Sequence, residues 1–167
     1  LDDAPEFTAL SYAWDADGGS THVLCEMSRL KVTRNCARAL HRIRDREGKE
    51  QSLRLWVDAI CIDQGQSEQA SREKTQQIQI MGDVYQKASK VIAWVGGHEN
   101  KSPYICDIVT TIGEAFDRSP DDADTWEMVK DVAFRRARQW IMFTDSWREF
   151  FERSWFTRMW PIQEVVL

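Results

Sequence analysis

A chain of 167 residues suits one domain and is long enough to enclose a substantial core. Its 43% hydrophobic and 29% charged residues exclude a disordered chain. With 27 acidic and 22 basic residues the formal charge is −5, which argues against nucleic acid as a partner, because phosphate binding needs a concentrated basic surface.

Residues 7–14, FTALSYAW, form a short apolar and aromatic run ending in the turn-rich DADGGS, the pattern of a buried strand followed by a loop. HVLCEMSRLKVT alternates and breaks near Ser28, which predicts a hairpin of two short strands. Thr33 or Asn35 can cap a helix reaching about Arg46, with Cys36, Leu40 and Ile43 on one face and Gly48 as its stop. Residues 53–62, LRLWVDAICI, are apolar nearly throughout and predict the strongest strand, covered on both faces.

Ser67 or Ser71 opens a helix to about Ala88, with Ile78, Met81, Val84, Tyr85 and Ala88 along one side. VIAWV at 91–95 is a third buried strand, closed by Gly96 and Gly97. This alternation of strand and helix marks a largely parallel α/β sheet with flanking helices. The stretch over about residues 100–152 differs. Ile105, Ile108, Val109, Ile112, Ala115 and Phe116 share one helical face, and SPDD at 119–122 breaks it. Trp126 to Ile141 and then Trp147, Phe150 and Phe151 predict two more helices, so the block reads as a helical insertion.

Asp58 stands inside the apolar run, where a carboxylate is costly unless paired or hydrogen-bonded. It reads either as a group ordering a binding loop or as a structural carboxylate. Asp63 follows at the carboxyl end of the expected strand, where open parallel sheets gather their ligands. The same rule places Ser11, Tyr12, Trp14 and Asp15 at the rim of that crevice. There the aromatics can stack on a planar ring and Asp15 can bind a ribose hydroxyl, or the aromatics simply close the core edge.

The tail packs Trp155, Arg158, Trp160, Gln163 and Glu164 into ten residues. Pro161 suits a helix's first turn. Glu164 then falls about one turn in, either complementing the helix dipole or holding an oxocarbenium-like cation beside aromatic surface.

Other chemistries find no support. The glycine pairs Gly18-Gly19 and Gly96-Gly97 lack a phosphate-loop pattern, and no Ser-His-Asp set is legible. The four cysteines form no CxxC pair and the three histidines complete no zinc spacing, so a metal site is not expected and the cysteines read as reduced thiols of a cytoplasmic protein. No run approaches the roughly 20 apolar residues of a membrane span, and no signal-peptide pattern opens the chain. Arg135, Arg136 and Arg138 read as a solvated helix face.

Four motifs in order, FTALSYAWD, LWVDAICIDQ, QIQIMGDVYQKASKVIAWVG and WFTRMWPIQE, resemble those of the heterokaryon-incompatibility (HET) domain of fungal proteins, across residues 7–166. The resemblance implies one HET domain over residues 1–167, part of a longer multidomain protein that triggers programmed cell death in non-self recognition. It also implies distant kinship with TIR domains and a flavodoxin-like sheet. Many TIR domains cleave NAD at the nicotinamide–ribose bond with a glutamate in a Trp-x-x-x-Glu pattern. Trp160 and Glu164 have that spacing, with Pro161 a departure inside it. The resemblance therefore implies Glu164 as the catalytic residue and NAD as substrate rather than cofactor; Arg158 can then meet the diphosphate, because its planar fork matches phosphate oxygens. The alternative it carries is a signalling module acting by self-association, with exposed aromatics such as Trp147 or Trp155 as anchors.

Overall fold

The structure is a computed structural model. It describes residues 4–14, 20–47, 53–97, 105–107, 109–111, 114, 127 and 144–158. The chain divides into two compact units, Leu1–Gly96 with Ser154–Leu167, and Gly97–Arg153.

The first unit is an α/β structure built on strand β1, Thr8–Tyr12. It lies between β4, Leu55–Trp56, and β5, Lys90–Trp94, and pairs in parallel with both. Among the parallel strands the first is therefore central, with the second and third on either side. A flavodoxin-like sheet begins in that order. Every residue of β1 is buried, as a strand covered on both faces requires. Side chains alternate along a strand, so Leu10 and Tyr12 face one way and Ala9 and Ser11 the other.

The Leu10 face packs on helix α1, Arg34–Glu47, through Cys36, Ala39 and Ile43, with Leu55, Ile92 and Trp94 from the flanking strands. Thr33 is the cap that forms: its Oγ1 accepts from the Cys36 amide at 3.1 Å. Asn35, the other candidate, is used elsewhere.

On the opposite face Trp56 meets Tyr85 edge-on, with centroids 5.6 Å apart. Tyr85 belongs to α4, Met81–Lys87, and its hydroxyl donates to the Leu10 carbonyl at 3.2 Å. That face is also closed by Trp155, whose indole Nε1 donates to Ser11 Oγ at 2.7 Å. Trp155 is buried, which removes it as an exposed interface anchor.

Strands β2, Ser20–Cys25, and β3, Ser28–Thr33, form the expected hairpin as a separate two-stranded sheet. Its two-residue loop places Glu26 at φ 54°, the left-handed region such tight hairpin turns require.

Two expectations are corrected. LRLWVDAICI is not one long strand. Only Leu55–Trp56 pair, and the chain then turns at Val57 into a short helix α2, Asp58–Cys61. A continuous apolar run has no period, so it cannot distinguish a buried strand from a buried helical turn. The helix expected over residues 67–88 is two helices: α3, Glu68–Gln79, and α4, which meet at Ile80 with ψ near 5°. Ser67 is the start signal that operates, its side chain accepting from the Ala70 amide at 3.1 Å.

In the second unit, residues 105–107 and 109–111 are helical, and Ile105 is buried. Helix α5, Thr144–Phe151, stacks Trp147 on Phe151 with centroids 5.7 Å apart. The predicted helix from Trp126 to Ile141 lies almost entirely outside the described residues. No helix among the described residues is long and apolar enough to cross a membrane.

Candidate functional site

At the carboxyl ends of β1 and β4 the chain leaves the sheet, and the residues that leave are fixed by side-chain hydrogen bonds. Ala13 follows β1; its carbonyl accepts from Asn35 Nδ2 at 2.7 Å. Asn35 Oδ1 accepts from Trp94 Nε1 at 2.8 Å. One amide in the first turn of α1 thus ties the exit of β1 to the end of β5.

Trp14 comes next. Its Nε1 donates to Asp58 Oδ2 at 2.8 Å, while Asp58 Oδ1 accepts from the Ala59 amide at 2.6 Å. The carboxylate therefore does two jobs: it complements the amino end of α2 and it holds the indole. Gln64 locks the loop beyond, donating from Nε2 to the carbonyls of Asp58 at 3.2 Å and Ile62 at 3.0 Å. Lys74 from α3 reaches Gln64 Oε1 at 3.4 Å and stands 5.9 Å from the Trp14 ring centroid, within cation–π range.

These groups border a cavity of about 460 Å³, within the size range of small-molecule sites. Ile62, Ile78 and Met81 supply its apolar wall, Trp14 an aromatic surface, and Asp58, Gln64, Lys74 and Arg158 its polar groups. The arrangement can take a ligand that combines a planar or apolar part with anionic oxygens: a ring against Trp14 and the aliphatic wall, oxygens toward the two cations.

Beneath the rim, Tyr12 is buried, and its hydroxyl has no hydrogen-bond partner among the described residues. Burial pushes the phenol far above its ordinary value, and the nearby Asp58 carboxylate and Cys36 thiol push it further, so it stays protonated.

The residues singled out in the sequence thus divide. Trp14, Asp58 and Arg158 line one cavity. Ser11 is buried under Trp155, and Tyr12 lies in the core, so neither stands at the rim where the strand-end rule put it. Asp63 is exposed and folds its own loop, its Oδ1 accepting from the Gly65 amide at 2.8 Å. Gly65 suits that turn because a β-carbon there would sit 3.0 Å from the carboxylate oxygen. Asp15, Trp160 and Glu164 lie outside the described residues.

Sequence reasoning missed Lys74, Ile78 and Met81. Ile78 and Met81 were read as part of a core stripe with Val84 and Tyr85. The stripe divides at Ile80: Val84 and Tyr85 are buried, whereas Ile78 is 41% exposed at the cavity. Lys74 stands one helical turn before Ile78 on α3 and so shares its face.

The family profile described as Heterokaryon incompatibility protein (HET) matches residues 7–164. A curated relative, heterokaryon incompatibility protein 6, OR allele, of Neurospora crassa, is 29% identical over an alignment of 192 positions covering 98% of this chain. The chain spans about 28% of the length of that relative. No solved structure gives a significant match. The profile match takes in both strand ends that border the cavity and the tail that carries Arg158: the chain belongs to the heterokaryon incompatibility family.

Proposed function

We propose that this chain is the effector domain of a fungal non-self recognition protein that triggers programmed cell death, and that it acts by cleaving NAD at the nicotinamide–ribose bond. The family and the name of the Neurospora relative support the role. The observation that carries the chemistry is the cavity itself, which joins an aromatic surface, an apolar wall and two cations at the carboxyl edge of a parallel sheet.

In this reading the diphosphate lies toward Arg158 and Lys74, and a ring of the dinucleotide packs against Trp14. Glu164, six positions after Arg158 in the chain, binds the ribose hydroxyls. As the C1′–N bond breaks, the bonding electrons leave with nicotinamide, and the carboxylate stabilises the cationic sugar. Water adds at C1′ and gives up a proton, so the products are nicotinamide, ADP-ribose and H⁺. Asp15 assists at a ribose hydroxyl. The buried Ser11 and Tyr12 act as supports of the rim, and Asp63 acts through its loop.

The test is nicotinamide release from NAD by the purified chain at high concentration. Wild-type turnover is expected, with Glu164→Ala reducing it at least ~100-fold, the scale of losing one electrostatic stabiliser, and Arg158→Ala raising KM. Intact NAD under assembled conditions, with cell killing retained by Glu164→Ala, sinks the hydrolase.

The second mode of action is self-association without chemistry. It is favoured by the exposed Phe151 stacked on Trp147 and by a strongly basic helix surface on α1. Under this mode Glu164→Gln leaves toxicity unchanged and surface substitutions abolish it. Further domains of the full-length protein would supply the trigger.

A further inference from the structure

The indole N–H of Trp14 is taken by Asp58, yet the residue is 43% exposed, so what it shows to solvent is ring surface. Over that ring stands the Lys74 ammonium, 5.9 Å from the centroid. Both residues border the cavity, so a planar ligand ring and this cation compete for one aromatic surface.

The acids around Lys74 do not neutralise it. Glu68 pairs with Arg72, one helical turn on. Glu73 Oε1 accepts from the Asp63 amide at 3.3 Å. Asp58 accepts from Trp14 and Ala59, and Asp63 Oδ1 from Gly65. Lys74 meets an amide oxygen instead, Gln64 Oε1 at 3.4 Å. The orientation of that amide is fixed, because its Nε2 faces the carbonyls of Asp58 and Ile62, which can only accept. A neutral acceptor and an aromatic face thus hold the ammonium at the cavity, and no carboxylate among the described residues is its counter-ion.

We propose that Lys74 is the specificity-determining residue of this cavity and makes it select rings that carry a phosphate, the nucleotide unit, over the same rings without one. A bare ring that stacks on Trp14 displaces the ammonium and gives it no new partner. A ring with a phosphate one sugar away gives the displaced ammonium an anionic partner, in a charge-assisted bond stronger than either contact it leaves. The side chain can make that exchange: it is exposed, and its four-carbon stem turns a compact head with three donors. Gln64 is the resting partner that keeps this head at the cavity. The proposal rests on the reading of this cavity as a nucleotide site, and it holds whether or not the nucleotide is then cleaved.

The experiment is isothermal titration of the 167-residue chain with AMP, with adenosine and with inorganic phosphate, beside the assay of NAD turnover. Wild type should bind AMP at least ~10-fold more tightly than adenosine, the scale of one hydrogen bond to a charged group. Lys74→Met keeps an unbranched, helix-favouring side chain. It should bring the two affinities together by weakening AMP alone, with adenosine bound as well as before or better. Lys74→Gln should do the same, and serves if methionine disturbs the helix. Lys74→Arg should keep a preference for AMP. No binding of either ligand, equal affinities in wild type, a preference that survives both neutral variants, or equal weakening of both ligands in both variants overturns the proposal. So does inorganic phosphate that competes as well as AMP, because the ring then contributes nothing. A preference for AMP without NAD turnover strikes only the hydrolase, and NAD turnover without a preference for AMP strikes only this assignment of Lys74.

Discussion

Asp58 shows how a single side chain can be both structural and part of a site. Its two oxygens are taken by the Ala59 amide and the Trp14 indole, and the indole it holds forms a cavity wall. The sequence showed only a carboxylate in an apolar run, a puzzle that the short helix α2 resolves. Tyr12 poses a second puzzle, because its buried hydroxyl lies near the Asp58 carboxylate and the Cys36 thiol yet makes no well-formed hydrogen bond among the described residues, and so forgoes hydration. Tyr12→Phe should therefore leave stability at neutral pH unchanged or raise it, as measured by urea unfolding. The pH response follows from the raised phenol pKa. Above about pH 10 the unfolded chain gives up this proton while the folded chain keeps it. Stability is thus fully present below that pH and falls as pH rises past it. In Tyr12→Phe the fall should be shallower, and an identical alkaline profile would remove Tyr12 as its source.

Among the elements, the joints matter more than the lengths. The hairpin and α1 were legible because each has a period, of two or near four, bounded by turn or cap signals. What failed to read was the nearly continuous apolar run at 53–62, which contains a two-residue strand and a helical turn, and the break at Ile80 inside the amphipathic stretch 67–88, where the helical period carries on across the joint. Asn35 is the most consequential joint, since it links α1 to the exits of both β1 and β5. As a sequence letter it competed with Thr33 only as a cap. Asn35→Ala takes the partners from the buried Ala13 carbonyl and the Trp94 indole, at a cost of about 1–3 kcal/mol. The midpoint of denaturant unfolding should drop accordingly, and ligand affinity at the cavity should fall with it, because Ala13 and Trp14 form that rim. Asn35→Asp keeps an acceptor for Trp94 but sets a carboxylate oxygen against the Ala13 carbonyl, so it should cost at least as much.

For the whole molecule, the longest connection described is the one between Trp155 and Ser11, separated by 144 positions in the chain. It places residues 154–158 against the sheet and so brings Arg158 to the cavity formed by Trp14 and Asp58. Trp155→Phe removes the donor and leaves packing space, a loss of about 1–3 kcal/mol. Hydrogen exchange should then show earlier opening around Ser11, and turnover or ligand binding should weaken although neither residue lines the cavity. By itself the sequence determined the α/β class, the family and the general alternation of strand and helix, because period, caps and ordered motifs are local properties of a chain. It also named Trp14, Asp58 and Arg158. Only the tertiary structure decided that these three face one cavity, that Ser11 and Tyr12 are shut beneath it, and that Ile78, Met81 and Lys74 complete its wall. Burial and convergence depend on which distant segments cover which face, and the pairing of Trp155 with Ser11 leaves no trace in the residues around either of them.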